Sequence, residues 1–128
     1  MSILRQELQK RPIIPIFLRN DKIITSAYAL IDSGADYSIF HWEIADVLKL
    51  DLSKQEWASY GGIKKGAKEG SGKFGNIEIS IDNKFFHKTA IMFSDDLSTS
   101  GYSILGQLGF FSLYKVGFDY KNDSIDIV

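Results

Sequence analysis

The stretch "PIIPIFLRNDKIITSAYALID", residues 12–32, constrains the fold more than any other. Two apolar runs rich in Ile, Phe and Tyr flank "RND", whose Asn20 and Asp21 favour a tight turn, so the stretch reads as a β-hairpin. The same grammar returns in "NIEISIDNKFFHKTAIMF", where Ile77, Ile79 and Ile81 alternate with Glu78 and Ser80 and "DN" supplies the turn. It returns again in "VGFDYKNDSIDIV", a last hairpin turning at "KND". Helical periodicity is clear only in "HWEIADVLKLDL", with Ile44, Val47 and Leu48 on one face and Ser38 available as a cap a few residues before. That predicts one short helix at roughly 41–49, and "QLGFFSLYK" a helical turn. "YSILG" reads as a short buried strand and "SDDLSTSG" as a polar loop. Strands joined to their sequence neighbours predict a small, mostly antiparallel β-barrel or sandwich.

Composition bounds the rest. A chain of 128 residues with 45% hydrophobic and 24% charged side chains has the makeup of one domain spanning 1–128 with a real core. The absence of cysteine excludes disulfides, thiolate metal sites and a Cys nucleophile. No apolar run reaches membrane-spanning length and "MSILRQELQKRP" lacks a signal-peptide pattern, so the expectation is a cytoplasmic protein with no membrane partner. A net charge of −1 gives no global basic field, so no nucleic-acid partner is expected. His41 and His87 stand alone without Cys, so no metal and no cofactor is expected. Neither a G-x-S-x-G elbow nor a phosphate loop is present.

One segment does not fit a purely structural reading. In "ALIDSGADYSIF", residues 29–40, an acid ends an apolar strand and is followed at once by Ser33 and Gly34. Asp-Ser-Gly is a common turn signal, and a D-[S/T]-G triplet arises by chance in roughly one chain in fifteen of this size. Its context is more specific, because "YALI" precedes it, "YSIF" follows, and "SILG" comes later before a helical turn. Together these resemble the single-domain, retroviral-type aspartic proteases called retropepsins and their cellular and bacterial relatives. The resemblance runs through nearly the whole chain, from N-terminal hairpin through a glycine-rich segment to the last strand. It implies a small closed antiparallel β-barrel of the retropepsin type, mostly β with one or two short helices.

The resemblance also implies a chemistry. Peptide hydrolysis without a metal or a covalent intermediate needs water made nucleophilic and a carbonyl made electrophilic, and two carboxylates sharing one proton do both. Like charges about 3 Å apart cannot both ionise at neutral pH, so the two apparent pKa values belong to the pair. This chain has a single D-[S/T]-G, so an Asp dyad requires a homodimer with Asp32 contributed by each copy. By the same resemblance Ser33, Gly34 and Ala35 support the catalytic loop. Asp36 contacts the substrate backbone, or is a solvated turn acid. Tyr60, Gly61, Gly62 and Ile63 in "YGGIKKG" resemble the start of the flap that covers the substrate, with Lys64 and Lys65 where further glycines are common. Tyr60 itself resembles the flap tyrosine of pepsin-like enzymes, but reads more readily as a half-buried strand aromatic. Ile104, Leu105 and Gly106 pack behind the loop as scaffold. Gln107 departs from the Arg that retroviral enzymes place there to pair with the acid near the active site, which predicts weaker dimer coupling by this route. Trp42, Trp57, Phe110 and Phe111 read as core or interface.

The expected function is a homodimeric aspartic endopeptidase acting on peptide or protein substrates. A second reading keeps the fold without the chemistry, as a catalytically inactive dimeric peptide-binding or assembly module. A third is an anion or nucleic-acid binder using Lys64, Lys65, Lys68 and Lys73.

Overall fold

The computed structural model describes residues 4–7, 11–60, 70–97 and 101–128. In chain order these form β1 (Leu4–Glu7), β2 (Ile13–Asn20), β3 (Ile23–Ile31), β4 (Ile39–His41), α1 (Trp42–Val47), β5 (Ala58–Tyr60), β6 (Gly70–Ser80), β7 (His87–Ser94), β8 (Ser103–Leu105), β9 (Val116–Asp119) and β10 (Ser124–Ile127). The hairpins sit where the turn residues put them. Asp21 takes φ 54 between β2 and β3, Asn83 takes φ 61 between β6 and β7, and Asp123 takes φ 50 between β9 and β10. Asp and Asn tolerate this left-handed region better than other side-chain-bearing residues, and side-chain oxygens at such turns satisfy local amides. Asp82 Oδ1 accepts from the Lys84 and Phe85 amides at 2.9 and 3.0 Å.

Six strands close into a barrel in the order β2-β3-β8-β4-β7-β6, with β6 returning to β2 through Phe17↔Ser80, Leu18↔Ile79 and Arg19↔Glu78. The eleven-residue β6 makes this closure. It serves β5 with its first residues, β7 along its middle and β2 at its end. Most pairings are antiparallel, but β3–β8 and β4–β7 are parallel, so the barrel is mixed. The first of these pairs forms because β8, only three residues long, inserts between the sequence neighbours β3 and β4.

Period-2 alternation fills the barrel. Ile14, Ile16 and Leu18 of β2 are fully buried, as are Ile79, Ile91, Phe93 and Leu105, joined by Ala29, Ile31 and Ile77. Each such Ile, Leu or Phe contributes about 1.5–3 kcal/mol relative to leaving it in water. Ile125 and Ile127 of β10 bring the second sheet, ordered β1-β10-β9, onto the same core. Three fully buried serines keep their hydroxyls satisfied, Ser38 through Gly106, Ser80 through Asp82 and Ser94 through Ser71.

The helix is shorter than its periodicity predicts. His41 caps it, Nδ1 accepting from the Glu43 amide at 3.1 Å, and Lys49 at φ 55 ends it. The Leu50 and Lys49 amides then bond the carbonyls of Ala45 and Asp46, a Schellman stop with Lys in the place usually taken by Gly. Ser38, expected as the cap, is buried one strand earlier. Residues 107–113 form a series of turns rather than a helix, with Phe111 and Ser112 amides reaching back to Gly106 and Gln107. Phe110 is in the core and Phe111 packs against it. Trp42 stacks on Trp57 at 5.8 Å, but Trp57 is 60% exposed and does not belong to the core.

Tyr114 gives the core a pH dependence. Its buried hydroxyl has no hydrogen bond of good geometry. Burial first, and then the nearby Asp82 carboxylate, push its phenol from 10.0 up to about 12. The unfolded chain therefore loses this proton first, and Tyr114's contribution to stability is intact below pH 10 and lost as pH rises to about 12. Urea melts of wild type and Tyr114→Phe should differ by a constant amount below pH 10 and shift in the variant's favour as pH rises to about 12. Parallel pH profiles would refute this.

Candidate active site

The last core residue of β3 is Ile31, and the next side chain, Asp32, is exposed. The strand does not simply fray there. The Asp32 amide donates to Leu105 O at the end of β8 at 2.9 Å, so the backbone remains paired while the carboxylate leaves the core. Asp32 Oδ1 accepts from the Gly34 amide at 2.9 Å, and the Ala35 amide donates to Asp32 O at 3.1 Å. The carboxylate is thus fixed by its own turn. A side chain at residue 34 would bring its Cβ to 3.2 Å from that Oδ1.

The loop after Asp32 is zipped onto the chain after β8. Gln107 and Leu108 amides donate to Ala35 O and Asp36 O at 2.8 and 2.9 Å, and the Ser38 amide returns to Leu108 O at 2.8 Å. Two side chains complete the seam. Ser38 Oγ accepts from the Gly106 amide at 3.0 Å, and Gln107 Nε2 donates to Ser33 O at 2.7 Å. Gly106 permits this approach, because a Cβ there would strike the carbonyl oxygens of Tyr37 and, at 2.6 Å, Ala35.

Of the residues expected behind the loop, Leu105 and Gly106 are buried there. Ile104 differs. It projects from the opposite face of β8, half-buried, beside its cross-strand partner Leu30. Partners on one register line share a face, so Leu30, Ile104, Ile39, Met92 and Phe74 form an apolar row across β3, β8, β4, β7 and β6. None of the row belongs to the main core cluster, but Ile39 and Met92 are buried while Leu30, Ile104 and Phe74 are half-buried, and the edge of Tyr37 meets Phe74 at 5.0 Å. Sequence reading missed it because Leu30 and Ile104 look like two more buried strand residues.

Ser33 and Asp36 are exposed and Ala35 is half-buried. Tyr60 ends β5, and its phenol oxygen lies 3.1 Å from Ser94 Oγ rather than being free. Gly61, Gly62, Ile63, Lys64, Lys65 and Lys68 lie outside the described residues, so the expectations placed on them are untouched by the geometry. Lys73 spans the surface, its Nζ donating to Leu52 O at 3.2 Å and lying 4.9 Å from the Trp57 ring. Among the described residues, no cluster of three or more His, Cys, Asp or Glu forms a metal-holding group. Among them also, no helix is long and apolar enough to cross a membrane.

The sequence matches no protein-family model and no curated protein. Solved structures do match. A retropepsin-like aspartic protease from Rickettsia conorii superimposes with a TM-score of 0.70 at 17% identity, covering 100% of this chain and 99% of that one. The chain has a retropepsin-like fold. The EIAV protease complexed with the inhibitor HBY-793 also superimposes, with a TM-score of 0.53 at 22% identity over 80% of this chain and 86% of that one. Within this retropepsin-like fold the acid of "DSG" ends a core strand, and "SILG" runs parallel beside it through Ala29↔Ser103, Leu30↔Ile104 and Ile31↔Leu105. The two segments singled out in the sequence are therefore neighbours in space. Ser38 and the Gln107 side chain join them, and neither role has a local sequence signal beyond a serine at a core-parity position.

Proposed function

We propose that the chain is one half of a homodimeric aspartic endopeptidase, with Asp32 and its copy in the second subunit forming the dyad. The observation that carries this reading is the Asp32 carboxylate, held outward by its own turn at the end of a core strand of a retropepsin-like fold. One carboxylate takes a proton from water as its oxygen attacks the peptide carbonyl carbon, and the protonated partner gives its proton to the carbonyl oxygen. A tetrahedral diol results. Its collapse breaks the C–N bond as the nitrogen takes a proton, and the dyad returns to a shared single proton. The apolar row beginning at Leu30 and Ile104, beside Asp32, supports a preference for peptides with bulky apolar side chains near the cleaved bond.

One observation favours a second reading, a dimeric peptide-binding or assembly module without turnover. Gln107 braces Ser33 O within its own subunit as a neutral donor, so no charge-assisted pairing reaches the acids from that position. A pepstatin-type inhibitor separates the two, because its hydroxyl mimics the tetrahedral diol and an assembled dyad binds such a mimic at least about 10²-fold tighter than substrate. Sedimentation with and without the inhibitor, alongside a peptide-library cleavage assay, reads both assembly and turnover. Inhibitor binding no tighter than that of an uncleaved peptide, with no cleavage, would leave the module reading.

A further inference from the structure

The ladder between β6 and β7 ends at Lys73↔Phe93, yet the next outward-facing backbone groups of β6 are not left to water. The Ser71 amide donates to Asp96 Oδ2 at 2.7 Å, and Ser71 O accepts from Ser94 Oγ at 2.6 Å. Two side chains thus occupy the places where further β7 backbone would have paired. Ser94 Oγ also accepts from the Asp96 amide at 3.1 Å. A hydroxyl has one proton and two lone pairs, so with its proton on Ser71 O and one lone pair taken, the 3.1 Å contact to Tyr60 Oη makes the phenol the donor. Ser94 is fully buried, and all its capacity is used.

Tyr60 reaches this hub by crossing its partner Gly70. A Cβ at residue 70 would fall onto the phenol ring, 2.7 Å from Cε2, so the ring needs the missing side chain. One strand of the β5–β6 hairpin is pinned through Tyr60, the other through Ser71, and both to the same hydroxyl at the end of β7. A continuous backbone ladder would hold one strand only. The same β7 carries Met92 of the apolar row, two residues before Ser94.

We propose that Ser94 and Asp96 are positioning residues that fix the root of the β5–β6 hairpin relative to the apolar row, and so set peptide affinity rather than the chemical step. This rests on the endopeptidase reading. Asp96 provides the cleaner test, since its carboxylate is exposed and its loss opens no cavity. Asp96→Ala should raise KM about tenfold with kcat unchanged, because a hairpin root freed from its anchor must be re-ordered when peptide binds, and that cost falls equally on the ground and transition states. Asp96→Asn, which keeps an acceptor oxygen, should restore KM to within about twofold of wild type. Exchange of the Ser71 amide, followed by NMR, should quicken in Asp96→Ala and recover in Asp96→Asn. An unchanged KM in Asp96→Ala, or a fall in kcat at constant KM, overturns the proposal. A wild-type chain that cleaves nothing overturns the endopeptidase reading instead. In that case Ser71 exchange decides the clamp alone, quickened exchange in Asp96→Ala supporting it and unchanged exchange overturning it.

Discussion

Asp32→Asn should lower peptide cleavage by at least about 10³-fold while leaving the fold intact. Asn keeps the Oδ1 that accepts the Gly34 amide at 2.9 Å, so the turn that presents the side chain survives. What is lost is the carboxyl group that takes up and gives a proton. Circular dichroism and sedimentation should match wild type, and unchanged turnover would remove Asp32 from the mechanism. Mixing carries the sharper test. When wild type and Asp32→Asn are exchanged to completion at equal amounts, about one quarter of random dimers contain two intact acids. Activity should fall to about that fraction of an all-wild-type sample at the same total concentration. Retention of half would mean that each subunit works alone.

Gly106→Ala should destabilise the protein by about 3 kcal/mol, at the upper end for forcing extra volume into a packed site. The new methyl would meet the Ala35 and Tyr37 carbonyls, and neither is the far end of a flexible side chain. Ala35 O is already held by the Gln107 amide at 2.8 Å, and yielding would also strain the bond from the Gly106 amide to Ser38 Oγ. The melting temperature should drop by roughly 10 °C for a chain of this size. Gly117→Ala is the control, because a Cβ there meets nothing within 4 Å, and its effect should stay within about 0.5 kcal/mol. Equal melting temperatures for the two variants would refute the tight seam behind Asp32.

How far the molecule could be read from its letters depended on range. The β2–β3, β6–β7 and β9–β10 hairpins were legible because alternation and a turn residue, Asp21, Asn83 or Asp123, sit within a few positions of each other. The insertion of β8 between β3 and β4 was not legible from patterning, since three residues carry no period and the pairing partners are distant in sequence. Only the resemblance carried by "DSG" and "SILG" brought those segments together. The helix was legible to within two residues at either end, although Lys49 closes it in a left-handed conformation without the glycine that would announce it. Ser38 was misread for a related reason, as a hydroxyl before a helix looks like a cap until a distant amide, that of Gly106, claims it. Tyr60 was flagged beside its glycines, but the partner of its hydroxyl, Ser94, belongs to another strand.

The strand β1 lies antiparallel to β10 of the same copy, Leu4 opposite Ile127 and Glu7 opposite Ser124. Among the described residues, every strand of that sheet has a partner within one copy, and for a homodimer built from such subunits, acquiring shape and acquiring a mate would be separate equilibria. For an enzyme whose chemistry needs two copies, output below the dissociation constant would then grow with the square of subunit concentration. Dilution alone would silence it, and crowding the subunits together would switch it on without any change in their shape.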